Sequence, residues 1–210
     1  SKQRLQRHWP VLQAILHPQI PRCGEQVEQE GVLWTVRDWQ EGVSYAQLLQ
    51  QRERRQMFFG SGEVLLLLRQ LLPVLAVVHG RGLVHGDVNP RNLLRRSADG
   101  MPVLLDFGLV QAEGDVPLAG ATPGYAPRAE GRGEACAAWM DLHGLGVSSL
   151  VLLTGRPPEQ LIPPSNEGWC WPEQLVLTAD FKEVLQRLLS EDPQRRFSDA
   201  ASVLEALKSV

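Results

Sequence analysis

The chain has 210 residues, 43% of them hydrophobic and 21% charged, which are ordinary values for a single soluble globular domain. Its 21 basic and 24 acidic residues leave a net charge of −3, and no basic stripe occurs, so a nucleic-acid partner is not expected. Three widely spaced cysteines argue against a disulfide framework or a zinc site, and no signal or membrane-spanning pattern occurs, which favours a cytoplasmic location.

Hydrophobic spacing and turn residues predict five helices and three short strands. The predicted helices cover residues 3–16, 44–51, 64–79, 179–190 and 198–209. The predicted strands cover residues 23–29, 32–37 and 103–105. Pro10 should kink or weaken the first helix because its ring removes a main-chain hydrogen bond, and Ser44 should cap the second.

Two polar motifs flank the last of these strands. His85-Gly86-Asp87 is followed by Asn92, and the strand leads into Asp106-Phe107-Gly108. This order resembles the catalytic loop and the metal-binding turn of protein kinases. In that family one carboxylate accepts a hydroxyl proton, while an amide and a second carboxylate hold Mg²⁺ on the phosphates of ATP. The resemblance implies that Asp87 is the catalytic base and that Asn92 and Asp106 bind the metal and the cofactor.

Further segments extend the resemblance over essentially the whole chain. Residues 17–20 look like the linker after the family's helix C, residues 121–127 like the end of a Ser/Thr kinase activation segment, and residues 192–196 like its Asp-Pro-x-x-Arg linker. Asp141 opens a segment similar to the buried helix F, continuing to residue 153, and would brace the catalytic-loop backbone. Preference for Ser/Thr over Tyr rests on Thr122 alone.

The resemblance implies an α+β fold of the protein-kinase type. Residues 42–210 would form a mainly α-helical C-lobe, and residues 1–41 a remnant N-lobe with helix C, the family's fourth and fifth strands and the hinge. Asp38 begins the hinge and would therefore lie at the cofactor-binding site. A regulatory spine is also implied, formed by Leu12, Cys23, His85 and Phe107.

Two positions near the expected nucleotide pocket depart from the family pattern. The helix-C glutamate position holds His8, for which an exposed helix residue is the simpler interpretation. The gatekeeper position holds Arg37, which is costly to bury unpaired and is expected to turn to solvent or to pair with Asp38 or Glu28. Either arrangement of Arg37 would make a normal adenine pocket doubtful.

The catalytic loop and the activation segment also depart from the pattern. Gly86 replaces the loop arginine, and Asn89 replaces the lysine that normally steadies the transferring phosphate. Ala129 stands where a glutamate is expected, with Glu130 one residue late but still able to reach Arg196 if the loop slips. The present sequence begins at helix C, so the glycine-rich loop and the phosphate-binding lysine are expected to be missing.

Two functions remain open. The first is a pseudokinase-like regulatory module that binds a protein partner, and the alternative is an active ATP-dependent Ser/Thr protein kinase of the bacterial Hanks type. Mg²⁺ and ATP are expected as cofactors only if activity remains. Apolar surface beside the missing strands is expected to be covered by a second copy of the chain or by another protein. Neither nucleic acid nor a membrane is expected as a partner.

Overall fold

A computed structural model describes residues 2–117, 119–127, 133–163 and 168–210. The α-helices of these residues are α1 (Lys2–Gln13), α2 (Tyr45–Glu53), α3 (Ser61–His79), α4 (Ala138–Thr154), α5 (Pro158–Leu161), α6 (Ala179–Leu188) and α7 (Ala200–Ala206), and a 3₁₀ turn, Leu207–Ser209, follows α7. The strands are β1 (Cys23–Gln29), β2 (Val32–Arg37), β3 (Gly42–Ser44), β4 (Leu83–Val84), β5 (Leu93–Arg96), β6 (Pro102–Leu104) and β7 (Gln111–Ala112).

Helix α1 and the β1–β2 hairpin form one unit at the start of the chain. The bounds of both strands agree with the prediction, and Val27 lies opposite Trp34 in the antiparallel register. The indole of Trp9 donates a 2.8 Å hydrogen bond to the Gly24 carbonyl and thereby fastens α1 to β1. Helix α1 continues through Pro10 and ends at Gln13, three residues earlier than predicted. The residue before proline avoids helical backbone angles, so His17-Pro18 is consistent with an early end.

Helix α3 is the long central helix. Its N-terminus is held by Glu63, whose carboxylate accepts a 2.9 Å hydrogen bond from the Gly60 main chain. Pro73 lies within the helix without ending it, and eight of its apolar residues are buried. The helix has the length and apolar composition of a membrane-crossing helix. It nevertheless packs against α4, α7 and β6, which is how the core helix of a globular domain behaves.

Helix α4 is the most deeply buried element, with every residue from Ala138 to Leu153 inside the domain. Two glycines allow this depth because neighbouring chain segments occupy the space of a side chain. A Cβ on Gly144 would lie 2.7 Å from the Val88 carbonyl oxygen, and one on Gly146 would lie 2.8 Å from Leu188 Cβ. The predicted buried helix is therefore present, and the first of these contacts seats it directly beneath the loop that carries Asp87.

Two small sheets position the polar motifs. Strands β3, β5 and β6 form one antiparallel sheet, and β4 pairs with β7 in the other. Because the loop of residues 85–92 lies between β4 and β5, and Asp106 lies two residues after β6, both motifs emerge from paired strands. The pairing of Leu93 with Leu104 brings these two chain segments side by side.

Candidate functional site

Asp87 and Asn92 are in direct contact. The Asn92 amide nitrogen donates to Asp87 Oδ2 at 2.9 Å and to the Asp87 carbonyl at 2.9 Å. The other carboxylate oxygen, Oδ1, accepts a 2.8 Å hydrogen bond from the main-chain N–H of Thr122. Asp87 is thus held by its own loop and by the segment 35 residues later. Sequence reasoning considered Thr122 only as an indicator of substrate type and missed this main-chain contact.

Asp106 lies beside this pair and is exposed. The Leu105 N–H, one residue earlier, donates to the Asn92 carbonyl at 2.8 Å and ties the two motifs together. Asp106 has a left-handed φ of 57°, uncommon for a residue with a side chain, and its Oδ1 accepts a 3.1 Å bond from Gly108 N–H. Its second carboxylate oxygen has no hydrogen-bond partner among the described residues.

These residues fit a magnesium ion. No described residue donates to Asn92 Oδ1, and the second oxygen of Asp106 is also open, so two hard oxygen ligands are present. Mg²⁺ is commonly bound by one or two protein oxygens, with waters and substrate phosphates completing its octahedron. Among the described residues no group of three His, Cys, Asp or Glu side chains could hold a metal, so a site built from protein ligands alone is not found there.

Asp38 makes no hydrogen bond to these three residues in the described part of the chain. It follows the end of β2, is exposed, and its N–H donates a 3.0 Å bond to the Arg22 carbonyl. No contact in the described part of the chain joins its carboxylate to Asp87, Asn92 or Asp106. Its predicted role at the cofactor site stays a prediction.

Asp141 braces the catalytic loop from below, as its position in the sequence predicts. Its Oδ2 accepts from the His85 N–H at 2.8 Å, and its Oδ1 accepts from the Gly86 N–H at 2.9 Å. The ring nitrogen Nε2 of His79 also donates to Oδ2 at 2.8 Å. Burial by itself raises the pKa of this carboxyl, but the bond from His79 and the nearby positive charge outweigh it, so the pKa lies below its usual value.

His85 links the two motifs through a defined tautomer. Its Nε2 lies 2.8 Å from the Leu105 carbonyl, which can only accept, while its Nδ1 accepts from the Asp87 N–H at 3.2 Å. These contacts make Nε2 the donor and Nδ1 the acceptor of the ring. It meets the Phe107 ring edge-on at a centroid distance of 4.8 Å. Leu12 and Phe107 belong to the main core and Cys23 packs against it, while the stacking of all four residues into the implied spine stays a prediction.

Gly86 occupies a backbone position that suits glycine. Its φ is +81°, and a Cβ there would lie 2.7 Å from the Leu109 carbonyl oxygen. Any side chain at this position requires both a strained backbone and movement of the segment after Phe107. The substitution therefore removes a charge and at the same time relieves strain beside the Asp141 brace.

Asn89 is buried and fully hydrogen-bonded. Its amide nitrogen donates to the Asp87 carbonyl at 3.0 Å and to Thr122 Oγ1 at 3.1 Å. Its Oδ1 accepts from the Arg91 N–H at 2.9 Å. The side chain thus holds the Thr122 segment against Asp87, but it brings no positive charge to the site.

His8 is buried, so the expectation of an exposed helix residue is wrong. Only 6% of the residue is exposed, and its Nε2 lies 4.0 Å from Asp115 Oδ2 and has no hydrogen-bond partner among the residues that the structure describes. Burial lowers the pKa of the His8 ring, and the positive charges of Arg7 and Arg4 lower this pKa further. The Asp115 carboxylate acts in the opposite direction but does not cancel the effect of burial. The ring is covered because α1 packs on the segment after Phe107, where Arg4 also donates to the Val116 carbonyl at 3.0 Å. Sequence reasoning missed Asp115 because nothing in the spacing links it to α1.

Arg37 neither turns fully to solvent nor forms an ion pair with a described carboxylate, which corrects both expectations. It is half-buried, and its guanidinium carbon lies 5.7 Å from the centroid of the Trp9 ring and 6.0 Å from that of Phe107. Aromatic faces attract a cation, so Arg37 interacts with these two rings where an ion pair with a carboxylate was expected. The cation of the gatekeeper position is therefore directed toward the phenylalanine of the metal-binding turn.

Arg196 is paired with Glu134. Its guanidinium makes two 3.1 Å contacts with Glu134 Oε2 and stacks on the Trp139 ring at 3.7 Å. The proposed contact with Glu130, and the comparison of Ala129 with the family glutamate, lie outside the described residues. The Glu134 pairing was missed because the motif alignment places the acidic residue four positions earlier.

Comparison with known proteins gives a consistent result. The family model described as the protein kinase domain matches residues 1–208. The chain is 31% identical over 221 residues to serine/threonine-protein kinase PknA of Nostoc sp., covering 99% of this chain and 38% of that protein. It is 30% identical over 206 residues to serine/threonine-protein kinase B of Synechocystis sp., covering 91% and 35%. The chain therefore spans little more than a third of the length of these curated relatives.

A solved structure shares the fold. The crystal structure of the PknI kinase domain of Mycobacterium tuberculosis matches with a TM-score of 0.77 and 27% identity, covering 99% of this chain and 78% of that one. The agreement extends over both the hairpin unit and the helical part. It confirms the α+β protein-kinase fold predicted from the motifs.

Proposed function

This chain belongs to the protein kinase domain family, and from that premise we propose that it is a catalytically impaired member acting as a protein-binding or regulatory module. The observation that carries the proposal is the hydrogen-bonding of Asn89. Both amide hydrogens and the amide oxygen are used within the loop and toward Thr122, so no cation stands two residues after Asp87. Loss of one preorganised stabilising contact typically lowers a rate by about 10²–10³.

The surroundings of His8 and Arg37 support the same proposal. A buried imidazole whose pKa is lowered is neutral near pH 7 and cannot hold a lysine as a helix-C carboxylate does. The Arg37 guanidinium, between Trp9 and Phe107, puts a charged group where the family has an apolar or small side chain behind adenine. His8 therefore weakens the part of a nucleotide site that holds the phosphates, and Arg37 weakens the part that holds adenine.

The C-lobe part of the site keeps the family's catalytic carboxylate and its two metal-binding side chains, Asp87, Asn92 and Asp106. Asp87 could accept a hydroxyl proton because each carboxylate oxygen keeps a free lone pair beyond its one hydrogen bond. Asn92 and Asp106 would hold Mg²⁺, which when bound neutralises charge on the phosphates. Thr122 and Asn89 keep the activation segment close to Asp87. These residues orient a substrate and a metal, but they do not supply the phosphate-binding charges of a fast kinase.

An active Ser/Thr protein kinase is the second candidate. The contact between Asp87 and Asn92 and the left-handed Asp106 favour it, since both preserve groups that phosphoryl transfer needs. Its relatives PknA and kinase B are named as serine/threonine kinases. In this case the remaining parts of the protein, or a partner chain, would contribute the phosphate-binding lysine.

An exposed apolar face on the β1–β2 hairpin supports a protein-binding role. Val32, Trp34 and Val36 alternate along β2 and are all exposed, Trp34 to 60%, and Val27 lies opposite Trp34. Contiguous apolar surface of this kind indicates an interaction site. We expect the purified protein to self-associate through this face, and a monodisperse monomer in light scattering would contradict that expectation.

The test is phosphotransfer from labelled ATP in the full-length protein, with Mg²⁺ or Mn²⁺ and a generic protein substrate. We expect wild-type protein to transfer no more phosphate than Asp87→Asn, which keeps the size of the side chain. Glu205→Gln is a matched surface control, because it too neutralises one carboxylate. Transfer by the wild type and the control that Asp87→Asn abolishes would overturn the proposal and establish the second candidate.

A further inference from the structure

A groove between the end of α2 and the start of α3 combines positive charge with exposed apolar side chains. It has a volume of about 680 Å³ and is open to solvent. Its walls include Arg52, Arg54, Arg55, Met57, Phe58 and Glu63. We call this the α2–α3 groove. It shares no lining residue with the candidate site, so the chemistry of Asp87 does not account for it.

The groove has a rigid frame. Arg52 donates to both carboxylate oxygens of Glu63, at 2.7 and 2.8 Å, and its guanidinium carbon lies 3.9 Å from the centroid of the Phe59 ring. The Phe59 N–H donates to the Leu152 carbonyl at 3.1 Å, which ties this loop to α4. Arg52 and Glu63 are therefore structural, and a ligand would meet a wall that is already ordered. Such preorganisation lowers the entropy lost on binding.

Two arginines on the rim are free to bind a ligand. Arg54 and Arg55 are exposed, and neither guanidinium pairs with a carboxylate in the ranges that the structure describes. Its lining has three arginines and one glutamate, and with Glu53 between Arg52 and Arg54 this surface keeps one net positive charge, although the chain as a whole carries −3. This local reversal of sign favours a negatively charged ligand.

The apolar part of the groove distinguishes between kinds of anionic ligand. Met57 is 55% exposed and Phe58 is 45% exposed. The inner edge of the Phe58 ring lies on the end of α4, where a Cβ added to Gly155 would be 2.1 Å from it. A fixed aromatic ring beside a flexible methionine is a common anchor at protein interfaces. A free phosphate would leave these side chains uncovered.

We propose that the α2–α3 groove binds an extended acidic peptide segment of a partner protein, with one or two apolar residues on Met57 and Phe58 and carboxylates on Arg54 and Arg55. The concave shape of the groove suits a chain segment better than a flat membrane surface, and its exposed side chains suit a peptide that carries both acidic and apolar residues. This inference rests on the proposed protein-binding role and names the chemistry of one partner surface.

The experiment measures fluorescence anisotropy of a labelled twelve-residue peptide in which Asp and Glu flank Leu and Phe, added to the full-length protein. We expect saturable binding that weakens as salt is raised, because exposed charges are screened. Arg54→Glu combined with Arg55→Glu should weaken binding at least about tenfold. Met57→Gln should also weaken binding, but without changing its salt dependence.

The matched control is Arg7→Glu combined with Arg81→Glu, two exposed arginines whose reversal changes the net charge equally. Arg81 follows the far end of α3, on the order of 28 Å from the groove by the rise of a 19-residue helix. This control should bind the peptide as wild type does. Equal loss in both double variants, equal binding of a Lys/Arg version of the peptide, or binding only to phosphatidylserine vesicles would each overturn the proposal.

The phosphotransfer assay distinguishes this failure from failure of the proposed function. Absent peptide binding together with absent phosphotransfer would overturn the groove proposal and leave the impaired module intact. Peptide binding together with Asp87-dependent phosphotransfer would support the groove proposal and overturn the proposal of an impaired module.

Discussion

Replacing Asp141 with alanine should destabilise the domain strongly. The side chain is almost fully buried and accepts three hydrogen bonds, from His79 and from the main chain of His85 and Gly86. Removing a buried charged acceptor from its hydrogen-bonded partners typically costs about 3–5 kcal/mol. Each buried donor left without an acceptor contributes about 1–3 kcal/mol of that loss. Since a domain has only about 5–15 kcal/mol of stability, this one change should remove a large part of it.

Urea unfolding followed by circular dichroism measures the effect. A loss of about 3–5 kcal/mol should lower the midpoint by roughly 1–2 M for a domain of this size. The control is Glu205→Gln, whose carboxylate is 72% exposed and pairs with Lys208 on the surface. It should change stability by less than about 0.5 kcal/mol. An Asp141→Ala midpoint equal to that of the control would refute the claim that Asp141 braces the catalytic loop.

The pKa of Asp141 gives the same residue a pH signature. Because the pKa in the folded protein lies below the usual value of 3.8, the ionised carboxylate stabilises the fold fully above pH 3.8. This contribution is lost as the pH falls through the lower pKa of the folded state. The stability difference between wild type and Asp141→Asn should therefore shrink as the pH is lowered below 3.8. A difference that stays constant across this range would contradict the assignment.

Three further changes test packing elsewhere by the same urea assay. Gly155→Ala should cost about 2–4 kcal/mol of stability, because the φ of Gly155 is +67° and the new Cβ would lie 2.1 Å from the Phe58 ring. Gly31→Ala is the control: its φ is similarly positive but the space around it is open, so it should cost about 1 kcal/mol. Equal losses in the two variants would refute the steric argument. Arg37→Gln should cost about 0.5–2 kcal/mol through loss of its aromatic contacts, and unchanged stability would show that they contribute nothing. Ser44→Ala should cost about 1 kcal/mol, because the Ser44 hydroxyl caps the next helix, and a stability equal to wild type would count against the capping box.

Short-range patterns predicted much of the fold. The β-branched and aromatic residues of Val32–Arg37 and the turn at Glu30-Gly31 predicted the hairpin with its correct bounds. Ser44 predicted the start of its helix because capping depends on a residue three positions away, Gln47, which completes the capping box. The ends of α1 and α6 were predicted two or three residues too late, since helix termini depend on packing as well as on propensity.

Contacts between distant segments were harder to predict. The motif spacing indicated that Asp87 and Asn92 act together, because they share one loop. The burial of His8 depends on a carboxylate 107 positions later, and the orientation of Arg37 depends on rings from two other elements. Neither relation has a periodicity that a single sequence can show. His8 and Arg37 both lie at positions where the family binds the nucleotide. The sequence could therefore suggest impairment, but only the structure shows the contacts of these two side chains.

Titration of the full-length protein with ATP, in the presence and absence of Mg²⁺, tests the central claim most directly. The account predicts weak binding with only a small Mg²⁺ dependence, because Asn92 and Asp106 can hold the ion but neither Asn89 nor the neutral His8 adds a charge that holds the phosphates. Asp106→Asn should then leave the titration almost unchanged. Tight binding that requires Mg²⁺ and is lost in Asp106→Asn would contradict the account.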